Sequence, residues 1–125
     1  MTQEEKDLLL KDISARLPYG VKVKLGDNPN IFDLEYRIKF AVMYGDSDKL
    51  EDILDITNIK PYLFPLSSMT VGQGQEFAAT LKYLPAEEID FWTLNTFDWC
   101  NKNHFDYRNL IGKGLAIDAT RKNIY

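Results

Sequence analysis

The apolar residues near the start of the chain recur at helical spacing. Leu9, Ile13 and Leu17 fall on one face of a helix. Thr2 and Glu5 match a capping box, in which each side chain hydrogen-bonds an exposed amide of the first turn. The proline and glycine that follow Leu17 stop the helix. The pattern predicts an N-terminal helix that packs its apolar stripe on the rest of the protein, because a short helix is marginal alone.

Two segments after this helix alternate apolar and polar residues with the period of a β-strand. The first covers residues 21–25 and the second covers residues 32–42, and a turn signal of Gly, Asp, Asn and Pro separates them. Residues 49–57 fit either a short helix or a strand. We favour a strand, because a third strand completes a meander and a lone two-stranded hairpin is barely stable.

The second half of the chain predicts helices. Residues 59–65 contain two prolines and predict a rigid, extended connection, since the residue before a proline is pushed toward extended backbone. A serine or threonine between 67 and 70 caps a helix that reaches about Leu84. A further helix covers about 87–102. A short final helix begins at Asp106 as its N-cap and ends at a glycine, Gly112 or Gly114.

Together these elements predict one α+β domain over residues 1–125. Its sheet is a small antiparallel meander of about three strands, covered on one face by the N-terminal helix and two or three C-terminal helices. A chain of 125 residues, 45% of them hydrophobic, is long enough to bury a core without disulfides or metal.

Charge and cysteine content narrow the expected setting. The formal net charge of -4 gives no general attraction to nucleic acid or to anionic membranes. The one cysteine, Cys100, excludes an internal disulfide, which fits a reducing compartment. The polar N-terminus does not match a signal peptide, and no apolar run reaches the ~20 residues that span a bilayer. We expect a cytoplasmic protein with no membrane partner.

Three sequence blocks carry a resemblance. They are ARLPYGVK at 15–22, IKPYLFPLSSMT at 59–70 and NHFDYRNLIGKGLAID at 103–118. Together they resemble a family of small proteins from gut anaerobic bacteria, their prophages and mobile elements. The family has no assigned activity, so the resemblance implies a phage or mobile-element setting rather than a mechanism. Relatives follow SSMT with a charged, helix-favouring run, where this chain has VGQGQ at 71–75.

The predicted helix at 87–102 is unusual because it has two apolar sides. One side carries Ile89, Trp92, Trp99 and Cys100, and the other carries Phe91, Leu94 and Phe97. A surface helix needs only one apolar stripe. Such a helix either packs between two layers of protein or presents one side to a partner, and Trp is enriched at interface hot spots. Our first hypothesis is protein–protein interaction, with an unidentified protein or a second copy, through Phe91, Trp92, Phe97 and Trp99.

Basic residues on the predicted sheet support a second hypothesis. Lys22 and Lys24 alternate outward on the first strand, and Arg37 and Lys39 do so on the next. Cations that share one surface contact phosphates. Cross-strand pairing with Glu35 is the ordinary alternative, and the face lacks an aromatic side chain to stack a base. Nucleic-acid binding through these four residues is therefore an alternative and not the favoured function.

Cys100 and His104 support a remote third hypothesis, a cysteine-dependent enzyme. On one continuous helix their spacing places a thiol beside an imidazole, which can make a nucleophile. The simpler interpretation is a small buried thiol near a surface histidine. Asp98 and Asp106 add potential metal ligands, but a structural zinc site uses four Cys or His. We assign no catalytic residue, metal or cofactor, and expect a protein that is not an enzyme.

Overall fold

A mixed β-sheet forms the centre of the fold. The computed structural model describes residues 1–44 and 55–125. The helices are α1 (Gln3–Arg16), α2 (Leu34–Tyr44), α3 (Val71–Thr80) and α4 (Leu94–Lys102), with 3-10 turns at Leu17–Tyr19, Ile56–Asn58 and Leu66–Ser68. The strands are β1 (Lys22–Leu25), β2 (Phe32–Asp33), β3 (Ile59–Pro65), β4 (Lys82–Leu84), β5 (Ile89–Phe91), β6 (Phe105–Asp106) and β7 (Ile117–Asp118). The predicted α+β class is confirmed.

Strand β3 makes the most pairings in the sheet. It pairs antiparallel with β1 and parallel with β6 and β7, while β2 pairs antiparallel with the other edge of β1. The predicted antiparallel meander is therefore wrong, because β1 lies between β2 and β3 and the sheet is mixed. The predicted connection at 59–65 is this strand. The extended backbone that precedes its prolines is also the backbone of a strand.

Helix α1 confirms the capping-box prediction. The Thr2 hydroxyl accepts a hydrogen bond from the Glu5 amide at 3.1 Å, and the Glu5 carboxylate accepts one from the Thr2 amide at 3.0 Å. Leu9 and Ile13 are fully buried in the hydrophobic core. After the 3-10 turn, Gly20 has a φ of 72°, a left-handed conformation that a residue without Cβ adopts readily. The chain then enters β1.

Residues 32–42, predicted as one long strand, are a short strand followed by helix α2. The Asp33 carboxylate accepts a hydrogen bond from the Tyr36 amide at 3.4 Å, as at a helix N-terminus. Leu34 is fully buried and Ile38 packs against the same core, while Tyr36 is 68% exposed. Leu34 and Ile38 share a face in a helix and in a strand, so alternation alone did not distinguish the two.

Helix α3 begins after Thr70, as predicted, but it ends at Thr80 rather than near Leu84. A reciprocal capping box between Thr70 and Gln73 fixes its start: each side chain hydrogen-bonds the other residue's amide, at 3.1 and 2.9 Å. These bonds offset the weak helix propensity of the two glycines in its first turn.

A β-hairpin of β4 and β5 replaces the start of the predicted helix at 87–102. Lys82 lies opposite Phe91 and Leu84 lies opposite Ile89. Only residues 94–102 are helical, as α4. The single helix with two apolar sides is therefore wrong, because its first residues pair as a strand instead.

Residues 107–116 form bends and turns rather than the predicted final helix. Asp106 nevertheless caps this segment: its carboxylate accepts hydrogen bonds from the amides of Arg108, Leu110 and Ile111. Gly114 has the predicted left-handed conformation, with φ of 74°. The predicted strand at 49–57 lies mostly outside the described residues, and its last part belongs to the Ile56–Asn58 3-10 turn.

Candidate functional site

Aromatic rings form a continuous chain through the C-terminal half of the protein. Its interior part runs from Phe77 through Trp99 to Phe105, with ring centroids 5.8 and 5.4 Å apart. The Trp99 and Phe105 rings are stacked, with an interplanar angle of 6°. Phe105 then leads to Phe64, at 6.0 Å. These four aromatic rings pack α3 and α4 against β3 and β6.

The other end of the ring chain reaches solvent. Trp92 contacts Phe77 and Phe97, each at a centroid distance of 5.2 Å, and Phe97 contacts Tyr107 at 5.2 Å. Trp92 and Phe97 are each 37% exposed. Two large aromatic side chains are therefore anchored on their inner edges by other rings and open on their outer edges.

The neighbouring residues extend this exposed apolar region, which we call the 83–97 surface. It consists of Tyr83, Ile89, Phe91, Trp92, Leu94 and Phe97. These are six of the thirteen large hydrophobic residues that are exposed in the described parts of the chain. Leu94 alone is 83% exposed. Exposed apolar side chains are ordinary when scattered, but their concentration in one segment is typical of an interaction site.

Threonines hold this surface in place. The Thr80 carbonyl, at the end of α3, accepts hydrogen bonds from the hydroxyls of Thr93 at 2.9 Å and Thr96 at 3.1 Å. Thr93 is also the N-cap of α4, where its hydroxyl accepts from the Thr96 amide. Thr80 precedes the hairpin and Thr93 follows it. These bonds therefore hold the two ends of the hairpin together and fix its position relative to α4.

Acidic side chains border the 83–97 surface. Four carboxylates and one amine stand on the hairpin and the first two turns of α4, and all five residues are exposed: Lys82, Glu87, Glu88, Asp90 and Asp98. Their formal charge is -3, from four acidic residues and one lysine. Asp90 lies directly opposite Tyr83 in the hairpin register, so these two side chains share one face of the hairpin, while Ile89 and Phe91 lie on its other face.

Of the four side chains predicted to bind a partner, Phe91, Trp92 and Phe97 are exposed, whereas Trp99 is half-buried and packs between the Phe77 and Phe105 rings. Phe91 lies on β5, and Phe97 lies on α4. Tyr83 was not among the residues predicted from the sequence. The signal it missed is the Leu84–Pro85 boundary followed by alternation around Asp90, which indicates a hairpin.

The predicted basic face does not form as one sheet surface. Lys22 and Lys24 lie on β1, but Arg37 and Lys39 lie on helix α2. Lys39 is 2.8 Å from Glu35, its partner one helical turn away, and the Arg37 guanidinium lies over the Phe32 ring at 4.7 Å. The structure therefore separates the two pairs that were predicted to contact phosphates together.

Cys100 and His104 do not lie on one continuous helix. Helix α4 ends at Lys102, and His104 has a left-handed φ of 63°. Burial raises the pKa of the Cys100 thiol to about 11, so the thiol is protonated at neutral pH. A cysteine nucleophile needs the opposite shift.

His104 was predicted to lie at the surface, but it is buried. Its ring stacks on Tyr125 at 3.7 Å, and its Nδ1 has no hydrogen-bond partner in the described chain. Burial lowers the pKa of His104 to about 4, and the positive charges of Arg16 and Lys22 add to the effect. Tyr125 is held in turn, because its hydroxyl accepts from the Lys22 amide at 2.9 Å and donates to the Tyr62 carbonyl at 2.8 Å.

A buried ionic network that the sequence analysis did not identify joins α1 to the residues around β6. Asp12 and Arg16 are fully buried and bond to each other at 2.9 Å. Arg16 also donates to the Phe105 carbonyl at 2.6 Å, and Arg108 donates to Asp12 at 3.1 Å. The only available signal was the i, i+4 spacing of Asp12 and Arg16 on a predicted helix. Because its polar atoms are partnered, this network is suited to holding elements together.

Nowhere in 1–44 and 55–125 do three His, Cys, Asp or Glu side chains come close enough to share a metal ion. None of the helices in those ranges combines the length and the apolarity needed to cross a bilayer. Comparison with protein-family models, with curated proteins and with solved structures gives no match.

Proposed function

We propose that the protein is a non-enzymatic accessory factor that binds a basic, partly apolar segment of another protein through the 83–97 surface. The observation that carries the proposal is the concentration of exposed apolar side chains on one hairpin and the start of one helix. The resemblance of three sequence blocks to proteins of prophages and mobile elements supports an accessory role in that setting.

The shape of the surface supports binding rather than incomplete packing. Trp92 and Phe97 are held by neighbouring rings at 5.2 Å, and the threonine bonds to Thr80 fix the hairpin. Side chains that are already ordered lose little entropy when a partner covers them. Aromatic anchors of this kind contribute most of the binding energy in many interfaces.

The charges favour a basic partner over a second copy of this chain. Glu87, Glu88, Asp90 and Asp98 are exposed on the same hairpin and helix as the apolar side chains, and a symmetric dimer through this surface brings these carboxylates closer together. Like charges across an interface disfavour association, whereas a partner with Lys or Arg beside its apolar residues is complementary. The expected partner segment is therefore amphipathic and positively charged.

The experiment uses two synthetic amphipathic helical peptides with identical apolar residues, one rich in Lys and one rich in Glu. Binding to the full chain is measured by isothermal titration calorimetry at several salt concentrations. We expect the Lys-rich peptide to bind at least about tenfold more tightly, with affinity that falls as salt rises. Equal affinity for the two peptides, or no binding of either, contradicts the proposal.

Two matched double variants test whether the Lys-rich peptide binds at the 83–97 surface. Trp92→Ser with Phe97→Ser is expected to weaken binding of the Lys-rich peptide by at least about tenfold. Tyr36→Ser with Met43→Ser removes side chains that are 68% and 73% exposed on α2, and it should leave binding unchanged. Light scattering tests whether a second copy of the chain occupies the surface instead. If the parent protein is a dimer and the Trp92→Ser, Phe97→Ser variant is a monomer, the surface is a dimer interface and the proposal is overturned.

A further inference from the structure

Three lysines from separate segments meet on the face of the sheet that is turned away from the core. Lys24 lies on β1 and Lys60 on β3, and the register places them directly opposite each other. Their neighbours Val23 and Ile59 are 0% and 2% exposed and point into the core. Because side chains alternate along a strand, the two lysines point the other way, toward solvent.

This arrangement has a cost in stability, and no ion pair in the described chain offsets it. Like charges directly opposite on a sheet are destabilising, and the adjacent pair, Lys22 opposite Asp33, shows the ordinary favourable arrangement. Within 1–44 and 55–125, neither Lys24 nor Lys60 has a carboxylate oxygen within 4.0 Å. Positions that folding alone disfavours are candidates for binding an anion.

The third lysine comes from the C-terminal segment. Two adjoining clefts, of about 460 and about 350 Å³, share Lys24 and Ile117 in their walls; Lys60 lines the first and Lys122 lines the second. Lys122 stands between Arg121 and Asn123, which have left-handed φ values of 63° and 55°. Such backbone is uncommon for Arg and is retained where the surroundings require it.

The composition of the clefts defines the ligand. The side chains that line them carry three lysines and one carboxylate, Asp27, which gives a local charge of +2 on a chain of net charge -4. Apart from its two lysines, the second cleft is lined by Pro29, Ile31, Tyr62, Ile117 and Ile124, whose side chains are mostly apolar. Cations beside an apolar floor match a ligand with a phosphate at one end and a flat base at the other.

We infer that these clefts bind a nucleotide, with its phosphates at Lys24, Lys60 and Lys122 and its base on the apolar floor. Their combined size suits such a ligand, since small-molecule sites occupy about 300–1,000 Å³. The nucleotide comes either free or as part of a single strand. This site shares only Lys24 with the lysine and arginine set predicted from the sequence, and it does not include any residue of the 83–97 surface.

The test compares three probes on the full chain at low salt: thymidine triphosphate, inorganic pyrophosphate and a fluorescein-labelled oligothymidylate of about 12 nucleotides. Calorimetry follows the first two, and fluorescence anisotropy follows the third. We expect thymidine triphosphate to bind more tightly than pyrophosphate, because its base contacts the floor. Tighter binding of the oligonucleotide identifies single strands as the source, and tighter binding of the triphosphate identifies free nucleotides.

Lys24→Gln with Lys60→Gln is expected to weaken nucleotide binding at least about tenfold, since each charged contact is worth about that much. Lys39→Gln with Lys102→Gln makes the same change in net charge on α2 and α4 and should alter binding less than about twofold. The first variant should not lower the melting temperature, because it removes like-charge repulsion. Should it unfold, Lys122→Gln replaces it without touching the strand register.

Three results overturn this inference. They are no binding of any probe up to millimolar concentration, pyrophosphate binding as tightly as the triphosphate, and equal weakening by the Lys39→Gln, Lys102→Gln control.

Discussion

Two regions of this protein hold side chains whose placement is energetically unfavourable, and they do so in opposite ways. Around Asp12 and Arg16, charged groups are fully buried, and each makes hydrogen bonds to a named partner. On the 83–97 surface, large aromatic and aliphatic side chains remain open to solvent. The first arrangement is explained by folding, because the network joins three segments of the chain. Folding does not explain the second arrangement, since these apolar side chains stay exposed instead of packing into the core.

The largest expected effect breaks the buried network. Arg16→Met keeps most of the side-chain volume but leaves the Phe105 carbonyl without its bond and Asp12 with Arg108 as its remaining ionic partner. Removing one member of a buried ionic group costs about 3–5 kcal/mol. We therefore expect the free energy of unfolding, measured by urea denaturation, to fall by about that amount.

Lys39→Met is the control for this prediction. It removes a pair of similar spacing, Lys39 with Glu35, whose side chains are 70% and 45% exposed. Exposed pairs contribute about 0–1 kcal/mol, so this variant should stay close to the parent protein. A loss of similar size in both variants contradicts the view that burial, rather than ion pairing itself, makes the Arg16 network important.

The next effect is a loss of stability in acid through His104. Folding lowers the pKa of His104 from 6.5 to about 4, so between these values the unfolded chain binds a proton that the folded chain does not. Stability therefore falls as the pH decreases from 6.5 to about 4. The expected loss is ~2–3 kcal/mol, since one pKa unit of difference between the folded and unfolded states corresponds to about 1.4 kcal/mol.

The measurement is urea denaturation across this pH range in the parent protein and in His104→Phe. The variant keeps a ring to stack on Tyr125 but has no group that titrates there. Carboxylates titrate in both proteins, so only the difference between the two pH slopes reports on His104. Identical slopes contradict the prediction.

The smallest effect tests the threonine bonds that hold the 83–97 surface. Thr93→Ala removes the N-cap of α4 and the bond to the Thr80 carbonyl, and caps contribute about 1 kcal/mol. We expect a loss of about 1–2 kcal/mol in chemical denaturation. Thr70→Ala removes the N-cap of α3 without a bond to the hairpin and should cost about 1 kcal/mol.

The two variants differ more in binding than in stability. If the threonine bonds order the 83–97 surface, Thr93→Ala lowers the affinity for the Lys-rich peptide and Thr70→Ala does not. Equal binding by both variants shows that the hairpin keeps its geometry without these bonds.

Sequence reasoning was most successful where a local hydrogen bond determines structure. Thr2 caps α1 as predicted, and Thr70, one of the predicted candidates between 67 and 70, caps α3. The Asp106 carboxylate accepts from backbone amides and Gly114 is left-handed, although the helix predicted between them does not form. Each depends on one side chain and the few amides beside it, so the surrounding fold does not change the outcome.

It failed where periodicity was the only signal. Leu34 and Ile38 fit a strand face and a helix face equally well, and the Asp33 cap was the overlooked sign of a helix. At 87–102, two apolar sides on one predicted helix conflicted with the pattern of a surface helix. The conflict arose because Ile89 and Phe91 follow the period of a strand and α4 begins only after Thr93.

The candidate site was only partly accessible from the sequence. Phe91, Trp92 and Phe97 were identified from their apolar character, but Trp99 is equally aromatic and is half-buried against Phe105. Nothing in the local sequence separates the exposed rings from the interior one. The lysine cluster needs the pairing of β1 with β3, which sets Lys24 opposite Lys60 across a long stretch of chain.

The placement of the two tryptophans gives the protein a pair of independent optical reporters. Trp92 is 37% exposed at the outer end of the ring chain, whereas Trp99 lies flat against Phe105 in its interior. A soluble quencher such as iodide is expected to reach the Trp92 indole more readily than the Trp99 indole. Single-tryptophan forms therefore separate a signal from the hairpin and a signal from the interior within the same emission band.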